Sequence, residues 1–411
     1  MRKYKYIIGL VTYLGFIIAN ILLWVTYGRA TVFLTMAFYI TLVLLAFSLL
    51  QILQKYLSNE LRLNLKVLII TSLIGLFTGE LILRFVIGIH LNYSEQNGSF
   101  FYISPYANAR RMVERSDNYL LEYKVGLTRW EEKDEFRFRH IYNELGMRER
   151  TLSTLPSSKD TLIVLGLGDS FTEGVGTSQD STWLRTLERS VNQDTALKPI
   201  FTINGGESGS DPFFEYEKLK YWSTSFSPDV VILAANISDL DDGFIRGGLE
   251  RFERPNPYLR PDIAPWWEPF YAGSMYVRHL VHLRGDFHML LLSYDALNQE
   301  REIVVNKMVK LIEAYQKLAL EKAFTFVLIL HPTYDELLNN AFALQPLANK
   351  LEGKSNLVLL NLFEHFQEHQ LINKDNFLTF YWLKDKHHNA TGYTLWGIEL
   401  KKILQAKDFF N

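Results

Sequence analysis

The stretch Thr161–Gly174, reading TLIVLGLGDSFTEG, limits the fold more than any other part of the chain. Thr161–Leu165 is a short apolar run and predicts a buried strand. It ends in Gly166-Leu167-Gly168, followed at once by Asp169 and Ser170. Beyond it, Trp183, Leu184 and Leu187 share one face of a predicted helix. A strand, a tight glycine turn, a serine and then a helix present a hydroxyl at the carboxyl end of a parallel strand, where open α/β sheets bind their ligands. A serine hydroxyl is a weak nucleophile until a base takes its proton, so chemistry here requires a histidine and a carboxylate supplied from elsewhere.

The same alternation continues to the end of the chain. Strands are expected at Thr161–Leu165, Pro199–Ile203, Val230–Ala234, Phe324–Leu330 and Leu357–Leu362. Helices are expected at Trp183–Ser190, Glu215–Trp222, Glu300–Leu320, Asp335–Leu351 and Thr391–Leu404. This order predicts an α/β domain over 161–411, a parallel sheet with helices on both faces. An insertion interrupts it at Gly243–Asn298, with Pro255, Pro257, Pro261 and Pro265 leading into Trp266, Trp267, Phe270 and Tyr271. Those aromatics fit either a lid or sugar-stacking surface, or a satellite core or membrane-interface patch.

The first ninety residues are of another kind. Tyr6–Tyr27, Thr31–Leu53 and Leu65–Ile89 are apolar runs, each longer than the roughly 20 residues a helix needs to span a bilayer. They are too long and too many for one signal peptide, and predict three transmembrane helices in residues 1–90. Arg2, Lys3 and Lys5 precede the first, and Lys55, Arg62 and Lys66 surround the second loop. The positive-inside rule then predicts a cytoplasmic amino terminus and an extracytoplasmic catalytic domain, periplasmic or on the cell exterior. Glu80 and Arg84 lie one helical turn apart in the third run. Charges at that depth are costly unless paired, so they either pair with each other or meet another membrane protein or a lipid headgroup.

Residues 91–160 read as a polar connector with edge elements. Arg137–Tyr142 alternates like an edge strand, and Asn143–Arg148 (NELGMR) is turn-like. Thr151–Lys159 has the composition of a linker. Arg148 fits a structural clamp beneath the site or a salt bridge, with an anion-binding role as the alternative. The formal net charge of −2 over 411 residues gives no basis for a nucleic-acid partner. Zero cysteines exclude disulfides, cysteine nucleophiles and thiolate metal sites.

The Gly-Asp-Ser block does not match the G-x-S-x-G elbow of α/β-hydrolases. GDSFTEG resembles the first block of the SGNH (GDSL-like) hydrolases, membrane-anchored bacterial type, and the resemblance runs from about Asn143 to the carboxyl end. It implies a flavodoxin-like three-layer fold, with Ser170 as nucleophile and its backbone N–H as one oxyanion donor. Asn204–Gly209 matches the second block, which maps a second donor onto the Gly209 N–H. The third block departs from the family's Asn-Asp: Leu233–Leu240 reads LAANISDL, so Asn236 (or Ser238) carries the side-chain donor. The last block, Asp385-Lys386-His387-His388-Asn389, supplies the base. Spacing to Asn389 and Gly392 selects His387, spacing from Asp385 selects His388 as the alternative base, and Asp385 orients the imidazole. No metal or other cofactor is implied. The other histidines, His331 among them, fit structural or solvated roles.

These residues imply a membrane-anchored serine esterase that removes O-acyl groups from a cell-envelope glycan or lipid. The same residues would serve an O-acyltransferase acting on an extracytoplasmic polysaccharide, and the irregular third block leaves a non-catalytic membrane scaffold as a further alternative. The transmembrane helices offer a surface for a membrane-protein partner.

Overall fold

The computed structural model describes residues 32–53, 56–83, 113–114, 122–123, 126–156, 160–253, 274, 276, 294–355 and 357–410. The chain divides into two units, Met1–Arg111 with Glu250–Asn298, and Met112–Leu249 with Gln299–Asn411. In the first, α1 spans Val32–Leu53 and α2 spans Asn59–Ile82. Ser58 starts α2, its hydroxyl accepting from the Leu61 N–H at 3.2 Å. Among the described residues α2 is the helix long and apolar enough to cross a membrane, with mean hydropathy 1.9; α1 contributes the shorter apolar stretch Ile40–Leu49. Of the three expected spans, one is met by a helix of this kind among the described residues, and the first run, Tyr6–Tyr27, lies outside them. Arg84, the expected partner of Glu80, lies outside them too. Glu80 is buried, and its Oε2 accepts from the Ser274 hydroxyl at 3.1 Å.

The second unit opens with a short antiparallel pair, β1 (Val113–Glu114) and β2 (Glu122–Tyr123), and then a hairpin of β3 (Thr128–Glu132) and β4 (Arg137–Ile141). The alternation expected over Arg137–Tyr142 is met by β4, whose His140 points inward and Arg139 outward. The main sheet follows: β5 (Leu162–Leu167), α3 (Ser170–Glu173), α4 (Trp183–Asn192), β6 (Ile200–Asn204), α5 (Pro212–Trp222), β7 (Val230–Ala235) and α6 (Ile237–Arg246). Then come α7 (Tyr294–Lys322), β8 (Thr325–Leu330), α8 (Tyr334–Asn339), α9 (Gln345–Leu351), β9 (Val358–Asn361), α10 (Leu362–Glu368) and α11 (Ala390–Gln405).

Strand order is β6-β5-β7-β8-β9, all parallel, which is the flavodoxin-like 2-1-3-4-5 order. The central strands β5 and β7 carry no polar side chain because both faces are covered. On one face α4 and α11 pack with Val164, Ile232 and Ile329, and Trp183 stacks on Trp396 at 5.1 Å. On the other, Tyr315 of α7 stacks on Phe326 at 4.9 Å and donates from its hydroxyl to Pro212 O. The single helix expected over Asp335–Leu351 is two. Asn340 turns left-handed at φ 51° and ends α8, and Pro346 sits in the first turn of α9.

The edge strand β6 has its outward backbone groups satisfied by side chains. Glu188 Oε2 accepts from Thr202 N at 2.7 Å, Glu149 Oε2 from Asn204 N at 2.9 Å, and the Asn192 amide both accepts from Ile200 N and donates to Ile200 O. Arg150 and Arg185 neutralise the two glutamates, at 2.8 Å to Glu188 and 2.6 Å to Glu149. An unpaired edge is an aggregation template; here Glu188 and Asn192 of α4, with Glu149 of the NELGMRER segment, close it.

At the start of α5, Asp211 accepts from Phe213 N and Phe214 N, and Glu215, one turn in, is buried and accepts from the Ser210 hydroxyl at 2.6 Å. Burial, with the like charges of Asp169 and Asp211, outweighs the Ser210 hydrogen bond and Lys218 and raises the Glu215 carboxyl to about 8. An unfolded glutamate ionises near pH ~4.3, so between there and about 8 the native state holds a proton that the unfolded state has lost. Stability must fall as pH rises through that window. Thermal unfolding of the detergent-purified chain should therefore show a midpoint that declines from about pH 5 to about pH 8, and Glu215→Gln should flatten that slope. Equal slopes in parent and variant would contradict the assignment.

Candidate active site

The parallel register brings the loops after β5, β6 and β7 to one edge of the sheet. Gly166 is level with Asn204, and Leu167 with Leu233. Ser170 opens the one-turn helix α3, and Asp169 caps it, its Oδ1 accepting from Phe171 N at 2.9 Å. Gly168 holds φ 151°, and a Cβ there would lie 2.2 Å from Thr172 Oγ1, so only glycine admits the turn.

Behind this turn lies Arg148, fully buried. Its Nη1 donates to Glu173 O (2.8 Å) and Gly174 O (2.6 Å), and its Nη2 to Thr177 O (2.7 Å). All three acceptors are main-chain carbonyls of the loop that follows Ser170. This is the clamp geometry among the two roles considered for Arg148, and it leaves the guanidinium facing the protein.

Glu173 closes α3 and is also buried. Its Oε1 accepts from Tyr142 OH at 2.5 Å, Arg129 Nη2 at 3.2 Å and the His140 ring at 3.2 Å; its Oε2 accepts from Ser208 N at 2.7 Å. Burial pushes this carboxyl up, but the His140 hydrogen bond, the Arg129 and His140 charges and the Ser208 N–H together hold it well below its ordinary value. It is a buried anion with every partner named, the circumstance in which such a charge is tolerated.

The Ser208 contact draws the loop after β6 against the serine turn. Glu207 N donates to Gly168 O at 3.0 Å, and the Ser210 hydroxyl oxygen lies 3.2 Å from the same carbonyl. Gly209 follows at φ 74°, and its carbonyl accepts from Arg246 Nη1 at 2.7 Å. Gly209 is thus carried beside the Ser170 turn, where the sequence expected a donor.

The last loop delivers the titratable groups. His387 Nε2 lies 2.7 Å from Ser170 Oγ, and His387 Nδ1 lies 2.6 Å from Asp385 Oδ1. Burial raises Asp385, yet the His387 hydrogen bond and charge, with Lys133 4.0 Å away, hold the carboxyl below its usual value. His388 goes elsewhere. It is buried, its Nδ1 meets Phe380 O at 3.2 Å and its ring stacks on Tyr381 at 4.1 Å. Desolvation drops it to about 3 and keeps it neutral. Of the two histidines, His387 is the one brought to Ser170.

Asn236 and Ser238 both point to Asp169. Asn236 Nδ2 donates to Asp169 Oδ2 at 2.9 Å and faces His331 Nε2 at 3.2 Å; Ser238 Oγ donates to Asp169 Oδ2 at 3.2 Å. Asn236 also caps α6 with Asp239 as the reciprocal partner. Its amide is fully buried, whereas Ser238 is exposed. Asp169 is raised by burial and partly restored by the Asn236 amide and the Phe171 N–H. His331 was expected to be structural or solvated, and it is buried. It follows β8, packs on Phe171 at 4.9 Å, and is lowered to about 3 by desolvation and then by the His388 charge. It is therefore a neutral acceptor for Asn236. The sequence carried no signal for His331 or Glu173, because neither stands at a spacing that marks a role.

No protein-family model matches the chain, and no curated protein does. Among solved structures, the chain is similar to a putative lipolytic protein of the G-D-S-L family from Desulfitobacterium hafniense DCB-2. That match has 14% identity and TM-score 0.36, covering 59% of this chain and 99% of the other. A G-D-S-L lipolytic protein from Veillonella parvula DSM 2008 has 15% identity and TM-score 0.35, covering 59% and 98%. The acetyl xylan esterase AlAXEase has 16% identity and TM-score 0.36, covering 59% and 100%. The 2-1-3-4-5 sheet, the Gly-Asp-Ser turn on its first strand, the glycine loop on its second and the Asp-Lys-His block against that turn are the features in which the second unit resembles the SGNH (GDSL-like) hydrolases.

Proposed function

We propose that this chain is a membrane-anchored serine esterase that removes O-acyl groups from a cell-envelope glycan or lipid. The observation that carries the reading is the unbroken hydrogen-bond line from Ser170 Oγ through His387 to Asp385. A base within hydrogen-bond reach of a serine, itself oriented by a carboxylate, is the arrangement nucleophilic acyl chemistry needs. Ser170 attacks the ester carbonyl while His387 Nε2 takes its proton. Asp385, kept ionised, accepts from Nδ1–H, fixes the tautomer and stabilises the imidazolium. His387 then protonates the leaving alkoxide, and a water deprotonated by His387 releases the acyl group from Ser170.

The developing oxyanion is held by the N–H groups of Ser170 and Gly209 and by Asn236, with Ser238 as the alternative. Asn236 is favoured because it follows the end of β7 and an amide reaches further than a hydroxyl; it serves the oxyanion by releasing its hydrogen bond to Asp169 or His331. Extracytoplasmic placement is supported by Arg62 and Lys66, which flank or enter α2 at its amino-terminal end. Protease added to cells stripped of any outer membrane should cut the second unit; protection until the cytoplasmic membrane is lysed would contradict this orientation and the envelope substrate.

Turnover of p-nitrophenyl acetate by the detergent-purified chain tests the reaction. Ser170→Ala and His387→Ala should each lower kcat by on the order of 10⁴-fold. His388→Ala should lower the unfolding temperature, with the folded fraction keeping its kcat. Asn236→Ala should cost about 10²–10³ in kcat, and Ser238→Ala should stay near the parent. Hydrolysis that persists in Ser170→Ala would sink the proposal. Acyl release that appears only when a glycan acceptor is added would replace hydrolysis by transfer.

A further inference from the structure

The β3–β4 hairpin lies before the Gly-Asp-Ser block, and no step proposed above uses it. Its tip nevertheless grips the loop that holds the base. The Glu135 carboxylate accepts three successive main-chain N–H groups, from Leu383 (3.0 Å), Lys384 (2.8 Å) and Asp385 (3.0 Å). Beside it, Phe136 packs against Trp382 at 5.4 Å, and the Trp382 indole N–H donates to Gly176 O at 2.9 Å. Lys133, also at the tip, stands 4.0 Å from Asp385 Oδ2. Within the gripped segment, Lys386 adopts φ 67°, an uncommon conformation for a residue with a Cβ, so the loop is held in a form its sequence does not favour by itself.

The other end of the same hairpin reaches the serine turn. Arg129, His140 and Tyr142 engage Glu173, whose second oxygen accepts from Ser208 N next to Gly209. One two-stranded element therefore touches the base loop directly and is linked through Glu173 to the loop carrying the glycine donor.

We propose that Glu135 is a positioning residue for the reaction: by collecting the Leu383, Lys384 and Asp385 N–H groups it sets the loop so that Asp385 and His387 stand in line with Ser170. The inference rests on the esterase reading above. Hydrogen bonds to a charged acceptor are about twice as strong as neutral ones. Three of them on consecutive residues fix a loop that water would otherwise solvate in several arrangements. The reaction is sensitive to such placement, since a shift of about 1 Å in a reacting group can cost on the order of 100-fold in rate.

Three variants of the full chain in detergent test this, each assayed for kcat, KM, the pH profile of kcat/KM and thermal unfolding. Glu135→Ala should lower kcat about 10- to 100-fold, leave KM unchanged, and move the acid limb of the profile to lower pH, because a mispositioned Asp385 stabilises the imidazolium less. Glu135→Gln keeps one acceptor oxygen without the charge and should fall between. Asp134→Asn removes only the exposed pairing with Lys384 (2.9 Å) and should match the parent. A Glu135→Ala profile and kcat like the parent's would overturn the inference. So would a loss of rate that only tracks the folded fraction, with Glu135→Gln doing the same. An inactive parent would instead sink the esterase reading, and this inference with it.

Discussion

The close approach of two loops at one end of the sheet is the constraint on which the rest depends. The turn after β5 and the loop after β6 touch backbone to backbone: a Cβ on Gly206 would lie 2.2 Å from Glu173 N and 2.6 Å from Thr172 C. That contact is possible because β5 lies between β6 and β7 in register, so the three loops leave the sheet level with one another. The parallel order is in turn imposed by the crossover helices, which cover both faces and leave the strand ends as the place where polar groups meet.

Burying polar groups at that end creates an electrostatic problem that the chain answers with ordered pairs. Glu173 is ionised deep in the protein because Tyr142, Arg129, His140 and Ser208 all face it. Glu215, a turn into the next helix, has a single strong donor in Ser210, and its carboxyl is raised instead. The two glutamates are similarly buried, and the donors and positive charges around Glu173, against the like charges of Asp169 and Asp211 near Glu215, decide which one carries charge. Asp169 sits between these cases, and its contacts with Phe171, Asn236 and Ser238 tie the serine turn to the start of α6.

Much of this was legible in the sequence, for identifiable reasons. The five strands were found because buried parallel strands read as largely apolar runs, and their observed limits differ by at most two residues. Ser170, Asp385 and His387 stand in blocks whose residue types serve chemistry, and the structure brings the three together. The break at Asn340 was missed because no glycine or proline stands there, and α6 because its apolar residues are few. The hairpin's connection to the site was invisible for another reason. Glu135 meets Leu383–Asp385 across about 250 residues, and Glu173 meets Arg129, His140 and Tyr142 across 31 to 44. Such pairings leave no periodicity. In the first unit, α2 was legible from length and apolarity, whereas the Ser274 contact of Glu80 joins residues 194 apart.

The central claim is that Ser170 is activated by His387 and Asp385 at the end of a parallel sheet. Treating the detergent-purified chain with a fluorophosphonate and mapping the adduct by peptide mass spectrometry tests it most directly. The account predicts a single phosphonylated peptide containing Ser170, formed rapidly in the parent and lost when His387 is replaced by alanine. An unlabelled chain, or labelling at another serine that ignores His387, would contradict it.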